Sequence, residues 1–331
     1  MSERDVVLSS RVRLARNYVD LPFDLGEKPE AAAMCVARTV QALGLEAGEE
    51  PGALVRLRDL TPIQRQSLAE AHRISRDLLA HDAAAAVLLR EDDALSVMMN
   101  EEDHLRIQAM CPGLDLPQAA EKCFHVEDEL SRHVTFAYDD QLGYLTACPT
   151  NTGTGMRASL LVHLPMLTLC KQMGNVGQIV AKVGLTIRGV YGEGAEALGN
   201  LYQVSNQVTL GRTEQELISA VTAVGHQLID MERALRDKAL AGSRINVEDT
   251  VFRAWGILRN ARILPLNEFF KHWSGVRLGA ALNMLPVSLA RADALLTECQ
   301  DAHLCAWEEA ALEGAELNAA RARRARDMLA Q

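Results

Sequence analysis

Residues 83–106 read AAAAVLLREDDALSVMMNEEDHLR. Two apolar runs flank a short polar turn, so strand, turn, strand is expected over about 84–110. The second run ends at Asn100. Glu101, Glu102, Asp103, His104 and Arg106 then follow with only Leu105 among them. A core strand that ends in so many ionisable groups either turns into solvent or carries a site for something cationic or phosphorylated.

The flanking segments set the fold class. Upstream, EAAAMCVARTVQALGL (30–45) and TPIQRQSLAEAHRISRDLLA (61–80) have helical spacing, the second with Thr61 as cap and Pro62 at the first helical position. Downstream, residues 120–150 hold a helix and then a hairpin whose turn is DDQLG (139–143). MRASLLVHLPMLTL and IVAKVGLTIRGVY read as strands or strand–helix junctions, and residues 213–240 as one long amphipathic helix. Everything from about 247 onward has helical spacing. The expected class is α+β, an antiparallel sheet flanked by helices, followed by a helical C-terminal domain. The division is drawn at 1–240 and 241–331.

The chain has 331 residues, enough for one large domain or two ordinary ones. Its net charge of −10 argues against a general nucleic-acid binder, which needs a basic face. No signal peptide and no membrane span are read from the sequence. The seven Cys are scattered without CxxC spacing, so reduced thiols in a cytoplasmic protein are expected, and no protein-held metal.

Three further stretches bear on chemistry. SSRVRLAR (9–16) puts Arg11 and Arg13 on one face of a strand. CPTNTGTGMRAS (148–159) is rich in small residues and carries Arg157 after its glycines, but lacks the Lys-Ser/Thr pair of a P-loop. RGVYGEGAEALGN (188–200) surrounds Glu193 with glycines that suit a closing loop. Taken alone, each also suits an ordinary turn or edge strand. Together they supply Arg11, Arg13, Arg106, Arg157 and Arg188 with Glu102 and Glu193. Several guanidinium groups neutralise a triphosphate, and carboxylates grip and deprotonate an acceptor guanidinium.

In that order along the chain, SSRVRLARN, NEEDHLR, CPTNTGTGMRAS and RGVYGEGAEALGNLYQVSNQVTLG resemble the phosphagen (ATP:guanido) kinase family, and within it the bacterial protein-arginine kinases. VEDTVFRAWGILRNARIL and VRLGAALNML resemble the helical C-terminal region of the latter. The resemblance implies transfer of the ATP γ-phosphoryl group to arginine side chains of proteins, with Mg²⁺ held by phosphates and water. It implies Glu102 as catalytic base, Glu193 as the second clamp on the guanidinium, and Cys148 as a reactive thiol beside it. Arg11, Arg13, Arg106, Arg157, Arg188 and His72 would hold the nucleotide.

Three departures separate the chain from small-molecule phosphagen kinases. The first Arg motif begins at Ser9 with no long helical domain before it, Met98 and Met99 stand where Trp is found, and Leu161 stands for a nucleotide-contacting His. An open acceptor site is the expected consequence. In the tail, Ala320-Arg321 stand where the RDxxRA phosphoarginine signature of protein-arginine kinases has Arg-Asp. The partners implied are arginine-bearing proteins, a Clp chaperone-protease, a zinc-containing activator and a second copy in a homodimer. The alternatives are a kinase for a small guanidino compound and a catalytically silent Clp adaptor.

Overall fold

The computed structural model describes residues 3–23, 28–44, 54–80, 84–90, 94–190 and 197–330. The chain divides into two compact units. One comprises residues 9–159 and 205–222; the other comprises 1–8, 160–204 and 223–331.

The first of these is built on antiparallel strands. β1 (Val7–Arg16), β2 (Leu54–Arg56), β3 (Ala86–Arg90), β4 (Leu95–Met99) and β5 (Leu105–Pro112) lie in the spatial order β2-β3-β4-β5-β1. Register pairs Met98 with Arg106 and Ser96 with Gln108 across β4 and β5, then Gln108 with Arg13 and Arg106 with Ala15 across β5 and β1. β4 is buried along its whole length, Ser96 included, as its largely apolar run predicts. Helix α1 (Pro29–Ala42) starts with a proline in its first turn. α2 (Pro62–Glu70) has the predicted Thr61 cap, completed by Gln64 into a capping box. It ends ten residues short of the expected stretch, because Arg73 N turns back to Leu68 O and Ser75 Oγ caps Leu78 N instead. α3 (Leu116–Ser131) starts at the Asp115 cap and turns Leu116, Ala119, Ala120, Cys123, Val126 and Leu130 inward, at helical spacing, against β5. The hairpin β6 (Tyr138–Asp139) and β7 (Gly143–Tyr144) forms around the expected turn.

β8 (Met156–His163) leads into the other unit, where α4 (Pro165–Leu169), α5 (Met173–Lys182), β9 (Leu185–Gly189) and β10 (Leu201–Asn206) follow. α6 (Glu214–Asn260) is longer than expected and has one non-helical residue, Ser243. α7 (Leu266–Ala281) is buried nearly all round, with Phe269, Phe270, Trp273 and Val276 forming the helical core. The helical spacing beyond 288 resolves into α8 (Leu289–Glu298), α9 (Asp301–Trp307) and α10 (Gly314–Ala330). The break at Gln300 is extended backbone, and the buried Arg321 guanidinium fills it, donating to Cys299 O and Asp301.

Candidate active site

The turn after β4 is a built object. Asn100 takes a left-handed conformation (φ 62°), which Asn tolerates, and its Nδ2 donates to Ala32 O and Ala84 O. Asn100 N and His104 O close the turn at 2.9 Å. Asp103 is buried. Its Oδ1 accepts from Asn17 Nδ2 and from Ala147 N, each at 2.7 Å, so it ties the end of β1 and the loop of Cys148 to this turn. His104 is held on both ring nitrogens, by Tyr18 N and Pro22 O. Asp103 and His104 therefore fix the turn, and the two glutamates between Asn100 and Asp103 are left for chemistry.

Those glutamates diverge. Glu101 points inward, where its carboxylate accepts from Arg106 and from Ser75 Oγ and is almost wholly buried. Glu102 points outward. Its side chain is 45% exposed and Arg106 Nη2 lies 3.9 Å away. Tandem glutamates at a strand end signal such a split only weakly, and the sequence did not single out Glu101.

Arg11 and Arg13 share a face of β1, as alternation predicts. Arg11 Nε reaches Ser159 Oγ at 3.4 Å. Arg13 is held well below the ordinary guanidinium pKa, first by burial and then by Arg11, Arg106 and Arg157, with Glu101 opposing. Its buried Nε has no hydrogen-bond partner among the described residues. Arg11, Arg106 and Arg157 thus lie near enough to weigh on Arg13, while buried Glu101 pairs with Arg106, an excess of positive charge that calls for an anion. Arg16, the third arginine of the strand, is not among them. It pairs with Glu127 at 2.5 Å under the Tyr144 ring and serves the core.

His72 sits beyond α2 with φ 57°, its carbonyl taken by Gln108 Nε2 at 2.7 Å. Burial, then Arg11 and Arg76, push its pKa down to about 4, so the imidazole is neutral near pH 7 beside the arginines. Gln108, opposite Arg13 in register, is a positioning residue that the sequence did not reveal. Cys148 is half-buried on its loop, with Sγ 3.0 Å from Thr150 Oγ1. The structure therefore brings Arg11, Arg13, Arg106, Arg157, His72, Glu102 and the Cys148 loop into one unit. Arg188 lies exposed on β9 in the other unit, and Glu193 with its glycines falls outside the described residues.

The ATP:guanido phosphotransferase C-terminal catalytic domain profile matches residues 34–235, and the protein-arginine kinase McsB C-terminal domain profile matches 244–331. The chain is 43% identical over 309 residues to the protein-arginine kinase of Caldanaerobacter subterraneus, covering 91% of this chain and 90% of that one. The chain belongs to the protein-arginine kinase family of ATP:guanido phosphotransferases. The protein-arginine kinase of Moorella thermoacetica is 44% identical across 86% of this chain and 82% of its own. Among solved structures, the duplicated taurocyamine kinase of Schistosoma mansoni matches with a TM-score of 0.61 at 30% identity, over 71% of this chain and 34% of that one. Lombricine kinase matches with a TM-score of 0.59 at 26% identity, over 71% and 68%. The α+β phosphagen-kinase fold expected from the sequence is the fold observed.

In the helical region, the tail arginines are already engaged. Arg321 is buried and donates to Cys299 O, Leu264 O, Asn318 and Asp301. Arg324 pairs with Glu298 at 2.6 Å and lies over Trp307.

Proposed function

We propose that this chain is a protein-arginine kinase that moves the γ-phosphoryl group of ATP to arginine side chains of proteins. The observation that carries the reading is the cluster of Arg11, Arg13, Arg106 and Arg157 around buried Glu101, with exposed Glu102 at its lip. The cluster suits polyphosphate, and the lip suits a cation. Mg²⁺ would accompany ATP, held mainly by phosphate oxygens and water, and would supply further neutralisation of charge. On the strength of their motif, Arg188 is assigned to phosphate binding and Glu193 to holding the acceptor guanidinium.

An acceptor Nη attacks the γ-phosphorus as the bond to the bridging oxygen of ADP breaks. A guanidinium nitrogen is a poor nucleophile while protonated, so its proton passes to Glu102 as the P–N bond forms. Alignment and charge neutralisation supply most of the acceleration. Cys148 is assigned to the acceptor side on the strength of its motif, and the bond from Ala147 N to Asp103, the residue after Glu102, supports that assignment. Residues 1–240 act as the catalytic domain and 241–331 as the platform for docking or dimerisation. Free thiols at all seven Cys support work in the cytoplasm. On the family likeness, the modified proteins go to a Clp-type protease during stress, and a zinc-containing protein activates the kinase.

The test is transfer from γ-labelled ATP to casein and to free arginine in parallel, with Glu102→Gln as control. Acid-labile, base-stable label on casein alone, lost in the variant by a factor of about 10² or more, is the expected result. Label on free arginine alone refutes the reading in favour of a small-molecule kinase. No label with ATP still bound points to the silent adaptor.

A further inference from the structure

The Cys148 loop is flanked by an apolar surface that the phosphotransfer chemistry does not use. Three segments lie side by side there: β7, residues 150–154, and residues 207–211. Tyr144 and Gly153 exchange both backbone hydrogen bonds, at 2.8 and 3.2 Å. Thr154 N donates to Thr209 O, and Thr209 Oγ1 donates to Thr152 O at 2.7 Å while lying 3.0 Å from Thr150 O. Glycines make this stacking possible. A Cβ on Gly143 would lie 2.5 Å from Gly153 O, and one on Gly153, at φ +117°, would lie 2.5 Å from Thr209 O.

The outer edge of these segments carries Leu142, Val208 and Leu210, with Tyr138 on the partner strand β6; each is between 46% and 58% exposed. Large apolar side chains grouped around one loop mark an interaction surface more often than scattered ones do. Asp139 and Asp140 are exposed at the same hairpin tip, and Glu102 is exposed at the site. Thr150, whose hydroxyl touches the Cys148 thiol, links the surface to the acceptor side.

We infer that Leu142, Val208 and Leu210 form the docking surface for the stretch of the acceptor protein that flanks the phosphorylated arginine, an extended segment of apolar and basic residues. This rests on the acceptors being proteins. Charge complementarity selects the occupant: acidic residues beside exposed aliphatic ones suit a basic, apolar chain, and they disfavour an acidic partner. A free amino acid has no flanking residues with which to reach the surface.

The test compares two short fluorescein-labelled peptides, one with arginine between Leu, Val and Lys, the other with arginine between Gly, Ser and Lys. The wild-type chain is set beside the triple variant Leu142→Ser, Val208→Ser, Leu210→Ser. These positions are half-exposed, and circular dichroism checks that the variant folds. Wild type should favour the apolar-flanked peptide about tenfold in kcat/KM, through KM, as loss of a few aliphatic contacts implies. The variant should lose that preference while its rate on the Gly/Ser peptide and its KM for ATP stay unchanged. A variant that keeps the preference, or a wild type that shows none, overturns the inference. If neither peptide is phosphorylated, the protein-acceptor reading has failed by itself. Fluorescence anisotropy then decides the surface: tighter binding of the apolar-flanked peptide to wild type than to the variant upholds it, and equal binding overturns it.

Discussion

Among the described residues, Glu101 is the buried carboxylate paired within the arginine cluster, and neutralising it as Glu101→Gln isolates its electrostatic role. Its side chain is 1% exposed and that of its partner Arg106 14%, so solvent screens the pair little. At an effective dielectric of ~20, opposite charges about 4 Å apart attract by roughly 4 kcal/mol. The amide oxygen of Gln still accepts from Arg106 or Ser75, which retains about 1 kcal/mol. The net loss is then about 3 kcal/mol, in line with the cost of breaking a buried pair. For a chain of 331 residues that corresponds to a fall in melting temperature on the order of 4 °C. The added positive charge should also raise affinity for a polyanion. Inorganic tripolyphosphate is therefore expected to raise the melting temperature of the variant more than that of the wild type. The assay is thermal unfolding by fluorescence, with and without tripolyphosphate, at constant ionic strength. Equal melting of the two proteins without anion, or equal tripolyphosphate shifts, would refute the view that Glu101 holds the cluster together until phosphates arrive.

Stability should fall as the solution is acidified from pH 7 to 5. His72, lowered from 6.5 to about 4, and His163, lowered by burial beside Arg277 and Arg236, stay neutral in the fold while their unfolded forms take up protons below 6.5. His72→Gln is expected to flatten that slope, and an unchanged slope in melting experiments would count against the assignment. Limited alkylation at pH 8 should label Cys148 and Cys170 first, since Cys35, Cys123 and Cys299 are buried and pushed up to about 12. Early modification of Cys35 or Cys123 in a mass spectrum would contradict the packing around β1. Gly153→Ala should cost about 1–3 kcal/mol in urea unfolding and lower transfer, because its Cβ meets Thr209 O and Leu210 Cα; a neutral substitution would show that the loop can shift.

Much of the fold is legible because local and tertiary preferences agree. β4 is apolar but for Ser96 and buried throughout, and Thr61 and Pro62 announce α2 before any tertiary contact forms. Legibility fails where a distant group decides the backbone. Apolar spacing runs unbroken through Glu298 to Asp301, yet the helix breaks there, because Arg321 arrives from twenty residues later to take Cys299 O and Asp301. The same holds after α2. Helical spacing continues to residue 80, but Gln108 from β5 captures His72 O and holds that residue at positive φ. In the site, the arginines are visible as a motif because alternation fixes their common face. Glu101 is not, since adjacent residues in a turn share composition and differ only in direction.

That difference in direction gives the site its polarity. Had both glutamates faced the arginines, the cluster would approach neutrality and lose its attraction for phosphate. Had both faced solvent, four guanidinium groups would repel one another in a buried setting without an internal counter-charge. One inward and one outward carboxylate leaves the cluster short of negative charge, which suits the polyphosphate of the proposed reaction, and leaves Glu102 at the rim for its proposed role as base. Asp103 makes the arrangement rigid, since its two short hydrogen bonds anchor the residue next to Glu102 to both β1 and the Cys148 loop. Direction at the turn after β4, where Asn100 takes its left-handed conformation, thus separates the two sides of the proposed site, arginines within and Glu102 without.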